Sequence, residues 1–128
     1  MTTATELIRV GRADTVLLVS FRRDGTPVGT PVNIAVDGDR AFVRTYDRAW
    51  KFKRMCRDPH VTVAPSTFRG MPLGPAVHAR ARLLEGAEAA RAARLIADRH
   101  PILHGVVVPA YRRLRGFRTV HFELTAMP

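Results

Sequence analysis

Residues 15–45 read TVLLVSFRRDGTPVGTPVNIAVDGDRAFVRT, and this stretch decides the fold. Thr15 to Phe21 is an apolar run without helix caps, the pattern of a buried strand. Asp24-Gly25 then turns the chain. From Val28 the sequence alternates. Val28, Thr30, Val32, Ile34 and Val36 fall on one face, and Gly29, Pro31, Asn33 and Ala35 on the other. Pro31 has no N–H to donate, so this long strand must be unpaired or bulged there. Asp37-Gly38-Asp39 is a hairpin turn, and Arg40 to Thr45 returns as a third strand. Ala41 and Val43 lie on one of its faces, Phe42 and Arg44 on the other.

Working outward, a short helix is predicted over Ala49–Arg57, with Asp47 as its N-cap and Asp58-Pro59 as its stop. Phe52, Met55 and Cys56 share the spacing of its inward face. His60–Pro65 is a fourth strand, Ser66–Pro75 a loop, and Val77–Leu84 a fifth strand with alternate positions wet. A helix over Ala87–His100 carries Ala89, Ala92, Ala93 and Ile96 as its apolar stripe. Glu88–Arg91 and Arg94–Asp98 are expected surface pairs along it. A further short helix is predicted over Pro109–Arg115, stopped by Gly116, and Thr119–Leu124 is the sixth strand. Short strands joined by tight turns favour a barrel, which removes sheet edges. The fold class expected is mainly β with α (α+β): a six-stranded barrel with short flanking helices, one domain over residues 1–128.

Composition agrees. The chain has 128 residues, 46% hydrophobic and 25% charged, which is ordinary for one globular domain. Cys56 is the single cysteine, so no internal disulfide or cysteine-cluster metal site exists. The longest apolar runs are too short to span a bilayer and the N-terminal segment lacks a signal-peptide core, so a cytoplasmic protein with no membrane contact is expected. Lys and Arg number 21 against 11 Asp and Glu, a net charge of +10. Such a surplus suggests a polyanionic partner or an anionic cofactor.

Much familiar chemistry is missing. There is no nucleophile elbow, P-loop or G-x-G-x-x-G, and no acid pair suited to glycoside chemistry. His100 and His104 have metal-pair spacing, but Pro101 disrupts a shared helix face, so no metal site is expected. Arg54 and Arg57 flank Cys56 and would lower a thiol pKa, yet a lone cysteine at a helix core position reads as packing. The nine aromatics are scattered, which argues against nucleic-acid binding. What stands out is the basic run Arg44–Arg57. A strand ends at Thr45 and a helix starts soon after, so free backbone N–H groups there would meet an anion, with Thr45, Arg48 and Lys51 around it.

At these residues the sequence resembles a family. Val43-Arg44-Thr45, Lys51-x-x-Arg54-Met55 and Asp58-Pro59-x-Val61 are similar to the phosphate-binding segment of the split β-barrel flavin and deazaflavin oxidoreductases, which include the pyridoxamine-phosphate-oxidase-like proteins. Ala64-Pro65 and Arg69-Gly70-x-Pro72-x-Gly74-Pro75-Ala76 resemble the branch that uses the deazaflavin F420, and Asp24-Gly25-x-Pro27 and Thr30-Pro31-Val32 match as well. The resemblance runs from about Leu7 to Leu124. It implies a homodimer with the cofactor shared between subunits. Thr30, Pro31, Val32, Asn33, Arg44, Thr45, Arg48, Ala49, Trp50, Lys51 and Arg54 would bind it from one subunit, and Ser66 and Arg69 from the other. Relatives often carry a Ser-Gly pair before the lysine. Here Ala49 and Trp50 stand there, so a hydroxyl is lost and a bulky ring is gained.

The resemblance implies an F420-dependent reductase that passes hydride to a small unsaturated or quinone-like acceptor. No catalytic side chain is then required, because the cofactor carries the chemistry. The arginine surplus would suit the anionic phosphodiester and oligoglutamate tail of F420. FMN is the alternative cofactor within the fold, and a non-catalytic tetrapyrrole- or nucleic-acid-binding module the alternative outside it. Removing Lys51 is expected to weaken binding and leave stability nearly unchanged, as for a surface charge.

Overall fold

A computed structural model describes residues 3–46, 50–101 and 118–127. The helix predicted over Pro109–Arg115 lies outside the described residues, as do Arg48, Ala49 and His104.

The first element is one that the sequence reading passed over. Helix α1 (Ala4–Gly11) is capped by Thr3, whose side chain accepts from the Glu6 N–H at 3.2 Å. Leu7 and Val10 are its buried residues at helical spacing, and both enter the main core. The legible signal was Thr3-x-x-Glu6, a capping-box pattern.

Six strands follow in the predicted places: β1 (Thr15–Phe21), β2 (Pro27–Asp37), β3 (Arg40–Tyr46), β4 (His60–Pro65), β5 (Val77–Leu84) and β6 (Thr119–Ala126). Between them stand α2 (Trp50–Arg57) and α3 (Gly86–Arg99). The strands close into an antiparallel barrel in the order β1-β2-β3-β6-β5-β4. β6 outruns its predicted end at Leu124 because it is paired on both sides, Thr125 with Arg40 and with Arg80.

The inward positions of the alternation fill the barrel: Val16, Leu18, Val32, Ile34, Ala41, Val43, Val61, Val63, Ala79, Phe122 and Leu124 are all buried. One barrel end is closed by α1. Its approach is so close that a Cβ on Gly11 would sit 2.4 Å from Val36 Cγ1. At the other end α2 seats Met55 in the core and sets Phe52 edge-on to Phe122, with ring centres 6.1 Å apart. Cys56, expected to face inward, is exposed, because a helix laid across a narrow barrel end buries only a narrow stripe.

Helix α3 covers the outer face, where Ala35, Phe42 and Leu84 meet Ala92 and Ile96 in a second core. Glu88 and Arg91 reach the strands and not each other. Arg82 bonds Glu88 at 2.8 Å, and Arg91 bonds Asp37, in place of the predicted Glu88–Arg91 pair. Glu123 is buried on this face, held by Arg40 at 2.9 Å and Arg82 at 3.1 Å. Arg99 ends α3 by donating to the carbonyls of Gly11, Arg12, Ala13 and Ile34, which ties the C-terminus of α1 to the barrel.

Candidate functional site

The β2–β3 ladder runs only from Asp37–Arg40 to Ile34–Val43. Beyond it the two strands separate. Pro31 lies in the separated part, paired with Leu17 of β1 on one side only, so its missing N–H breaks no bond toward β3. The split between β2 and β3 is therefore where the sequence put a proline. On the far side of the gap Arg44, Thr45 and Tyr46 stay paired with β6. The gap is a groove of about 190 Å³, lined by Pro31, Val32, Asn33, Arg44, Thr45, Tyr46 and Lys51.

Six of the predicted binding residues thus meet in one place. The groove wall also holds Tyr46, which the reading missed although it shares the face of Arg44 two positions on. Its ring lies 5.3 Å from the Arg44 guanidinium carbon. The Asn33 amide donates to the Asp14 carbonyl at 3.1 Å, which fixes one edge of the groove.

The electrostatics are lopsided. The described wall contributes two cations and no carboxylate. Lys51 is half-buried, and its pKa falls to about 8, first through burial and then through Arg54 and Arg44. Opposite Arg44 in the sheet register stands His121. It is buried, and burial, then Arg44, push its pKa down to about 4. A neutral imidazole thus backs the Arg44 guanidinium at physiological pH. His121 was unreadable as a site residue, since only register brings it there.

Other predicted residues stand elsewhere. Arg54 donates to Ser20 Oγ at 2.7 Å across the barrel end, behind Lys51 and outside the groove wall. Ser20 is buried, so this bond also fixes α2. Trp50 is 72% exposed, with the Lys53 ammonium 4.6 Å from its ring. Thr30 is half-buried beside the groove residue Pro31. Ser66 is buried, and its hydroxyl donates to the Thr67 carbonyl at 2.7 Å. Arg69 is exposed over the Phe68 ring. Their loop abuts the groove through Gly70, which lies against Pro31 and Leu17 and whose φ of +92° favours glycine. Cys56 is exposed on α2, and desolvation by its neighbours pushes its thiol pKa up. A wider cleft of about 530 Å³ lies between α1 and the β2–β3 turn, but it holds none of the predicted residues.

No described helix is long and apolar enough to cross a membrane. No protein-family model and no curated sequence matches the chain. Solved structures do. A heme-binding protein from Mycobacterium smegmatis superposes with a TM-score of 0.69 at 16% identity, covering 98% of this chain and 52% of that one. This chain therefore spans about half the length of that protein. A provisionally named pyridoxamine 5'-phosphate oxidase from Listeria innocua gives 0.58 at 15% identity, covering 98% and 94%. A protein called an F420 reductase gives 0.57 at 17% identity, covering 93% and 90%. At such identities the likeness shows the fold alone, a six-stranded split β-barrel. Neighbours on this fold include an F420 reductase and a heme-binding protein.

Proposed function

We propose that the chain is a cytoplasmic, homodimeric reductase that binds F420 in the split between β2 and β3 and serves a small unsaturated or quinone-like acceptor. The observation that carries this reading is the groove: two cations, Arg44 and Lys51, in a described wall without a carboxylate. F420, when bound, supplies the hydride. The chain's residues hold and orient it. Lys51 presents a compact charge with rotatable donors, and Arg44 a planar fork suited to phosphate. Pro31 and Val32 give an apolar edge that would take a flat ring, with the cations at the other side of the gap.

The size of the groove is what supports the homodimer. A groove of about 190 Å³ is smaller than the roughly 300–1,000 Å³ of pockets that enclose drug-sized ligands. A second copy would enlarge it. The loop after β4 is braced by Thr67 N–H to the Met71 carbonyl at 2.9 Å and Leu73 N–H to the Pro65 carbonyl at 2.8 Å. It presents Phe68, Met71 and Leu73 to solvent, which suits contact with that copy.

Separate titrations with F420, FMN and hemin test the reading. The expected result is tightest binding of F420, weakened more by salt than FMN binding is, because more charge pairs are screened. Binding of FMN or hemin alone would replace the cofactor. Binding of none would remove the function.

A further inference from the structure

On the outer surface, away from the groove, three rings form a row across neighbouring strands: Phe21 of β1, His60 of β4 and His78 of β5. His60 Nε2 and His78 Nδ1 are 2.8 Å apart. The imidazole centres are 5.1 Å apart with 17° between the ring planes. That separation is close to the largest such a nitrogen contact allows, so the rings meet edge to edge, near one plane. One proton lies between two in-plane nitrogen lone pairs aimed at each other.

The row is held from both sides. The Phe21 ring lies 5.1 Å from His60 at 14°. The His60 backbone N–H donates to Asp58 Oδ1 at 3.1 Å. On the far side Met127 N–H donates to the His78 carbonyl at 3.2 Å, which sets a thioether residue next to His78.

We propose that His60 and His78 form a low-coordination site for a soft monovalent d10 ion of the copper(I) class, with the Met127 sulfur as neighbouring donor. Opposed imidazoles favour a near-linear N–metal–N arrangement. With metal–imidazole bonds of about 2 Å, the nitrogens open to about 4 Å, a modest rotation for exposed side chains. The shared proton moves to the far nitrogen of the donor ring, so each contact nitrogen offers a lone pair and no proton is lost. Thioether and imidazole are donors that suit copper(I). Among the described residues no three His, Cys, Asp or Glu cluster, so an ion needing four such ligands is poorly served here.

The test uses tag-free protein carrying Cys56→Ser, since the exposed thiol would itself take copper(I). Competition against a chromophoric copper(I) chelator under reductant should show one equivalent bound. His60→Gln and His78→Gln should each weaken binding at least about tenfold, the low end of losses seen even for supporting partners of metal ligands. Silver(I), a redox-inert stand-in, should shift the side-chain ¹⁵N signals of both histidines together. Circular dichroism checks that the variants fold. Unchanged affinity in both variants, or a shift of one histidine only, overturns the proposal.

Discussion

Lys51 should behave in opposite ways toward folding and toward binding. Its pKa is brought from 10.5 to about 8 by burial and by Arg54 and Arg44. A shift of that size corresponds to at most about 3.4 kcal/mol spent holding the charge in the groove, at about 1.36 kcal/mol per unit. The residue keeps some solvent contact, so about 1–3 kcal/mol is a better range. Lys51→Met should therefore stabilise the empty protein by that amount at pH 7. The sign follows from linkage. Below pH 8 both folded and unfolded chains carry the proton and the folded chain bears the full cost. Between pH 8 and 10.5 the folded chain sheds the proton first, so stability rises with pH and the advantage of the variant vanishes. The same substitution should weaken anion binding by about 2–5 kcal/mol, because it removes one partner of a desolvated charge pair. That is roughly thirty- to several-thousand-fold in Kd. Urea melts at pH 7 and pH 10, with and without F420, measure both effects. Lys53→Met is the control, since Lys53 lies on the exposed Trp50 ring. A Lys51→Met protein less stable than its parent at pH 7 would refute the electrostatic account. This expectation replaces the view of Lys51 as an ordinary surface charge, because residues distant in sequence bury it.

His121 gives the acid counterpart: its folded pKa of about 4 lies below the ordinary 6.5, so stability should fall as pH drops from 6.5 to 4. In urea melts His121→Leu should flatten that limb. Arg99→Met should cost about 2 kcal/mol or more, since charged hydrogen bonds to the Gly11 and Arg12 carbonyls at the end of α1 are lost, with hydrogen exchange rising first in α1. Phe68→Asp with Met71→Asp should turn a dimer into a monomer by light scattering and abolish cofactor binding with it; a monomeric parent that binds tightly would sink the shared site. Gly70→Ala should destabilise by about 1 kcal/mol, read from the melting temperature, because φ is +92° there.

The strands were legible because alternation is a property of the backbone. Each of the six appeared within two residues of its predicted ends. The groove was legible in part. Pro31 announced an unpaired stretch, and the basic run announced cations near the end of β3. Proximity in sequence did not set which cations line the groove. Arg54, three residues after Lys51 on the same side of α2, donates to Ser20 across the barrel end. Cys56 was placed in the core by a spacing that a narrow contact does not use. Helix α1 is only eight residues long, short for a periodic pattern to stand out, and its core residues Leu7 and Val10 matter only once a barrel end needs closing.

The sequence alone therefore determined the strand pattern, the turns, the break at Pro31 and the excess of positive charge. Each depends on local backbone rules or on composition. The tertiary structure decided which cations share the split, that His121 stands neutral behind Arg44, that Lys51 holds its charge at a cost, and that His60 faces His78. Those outcomes depend on burial and on distances between residues far apart in the chain, and barrel closure is what sets both.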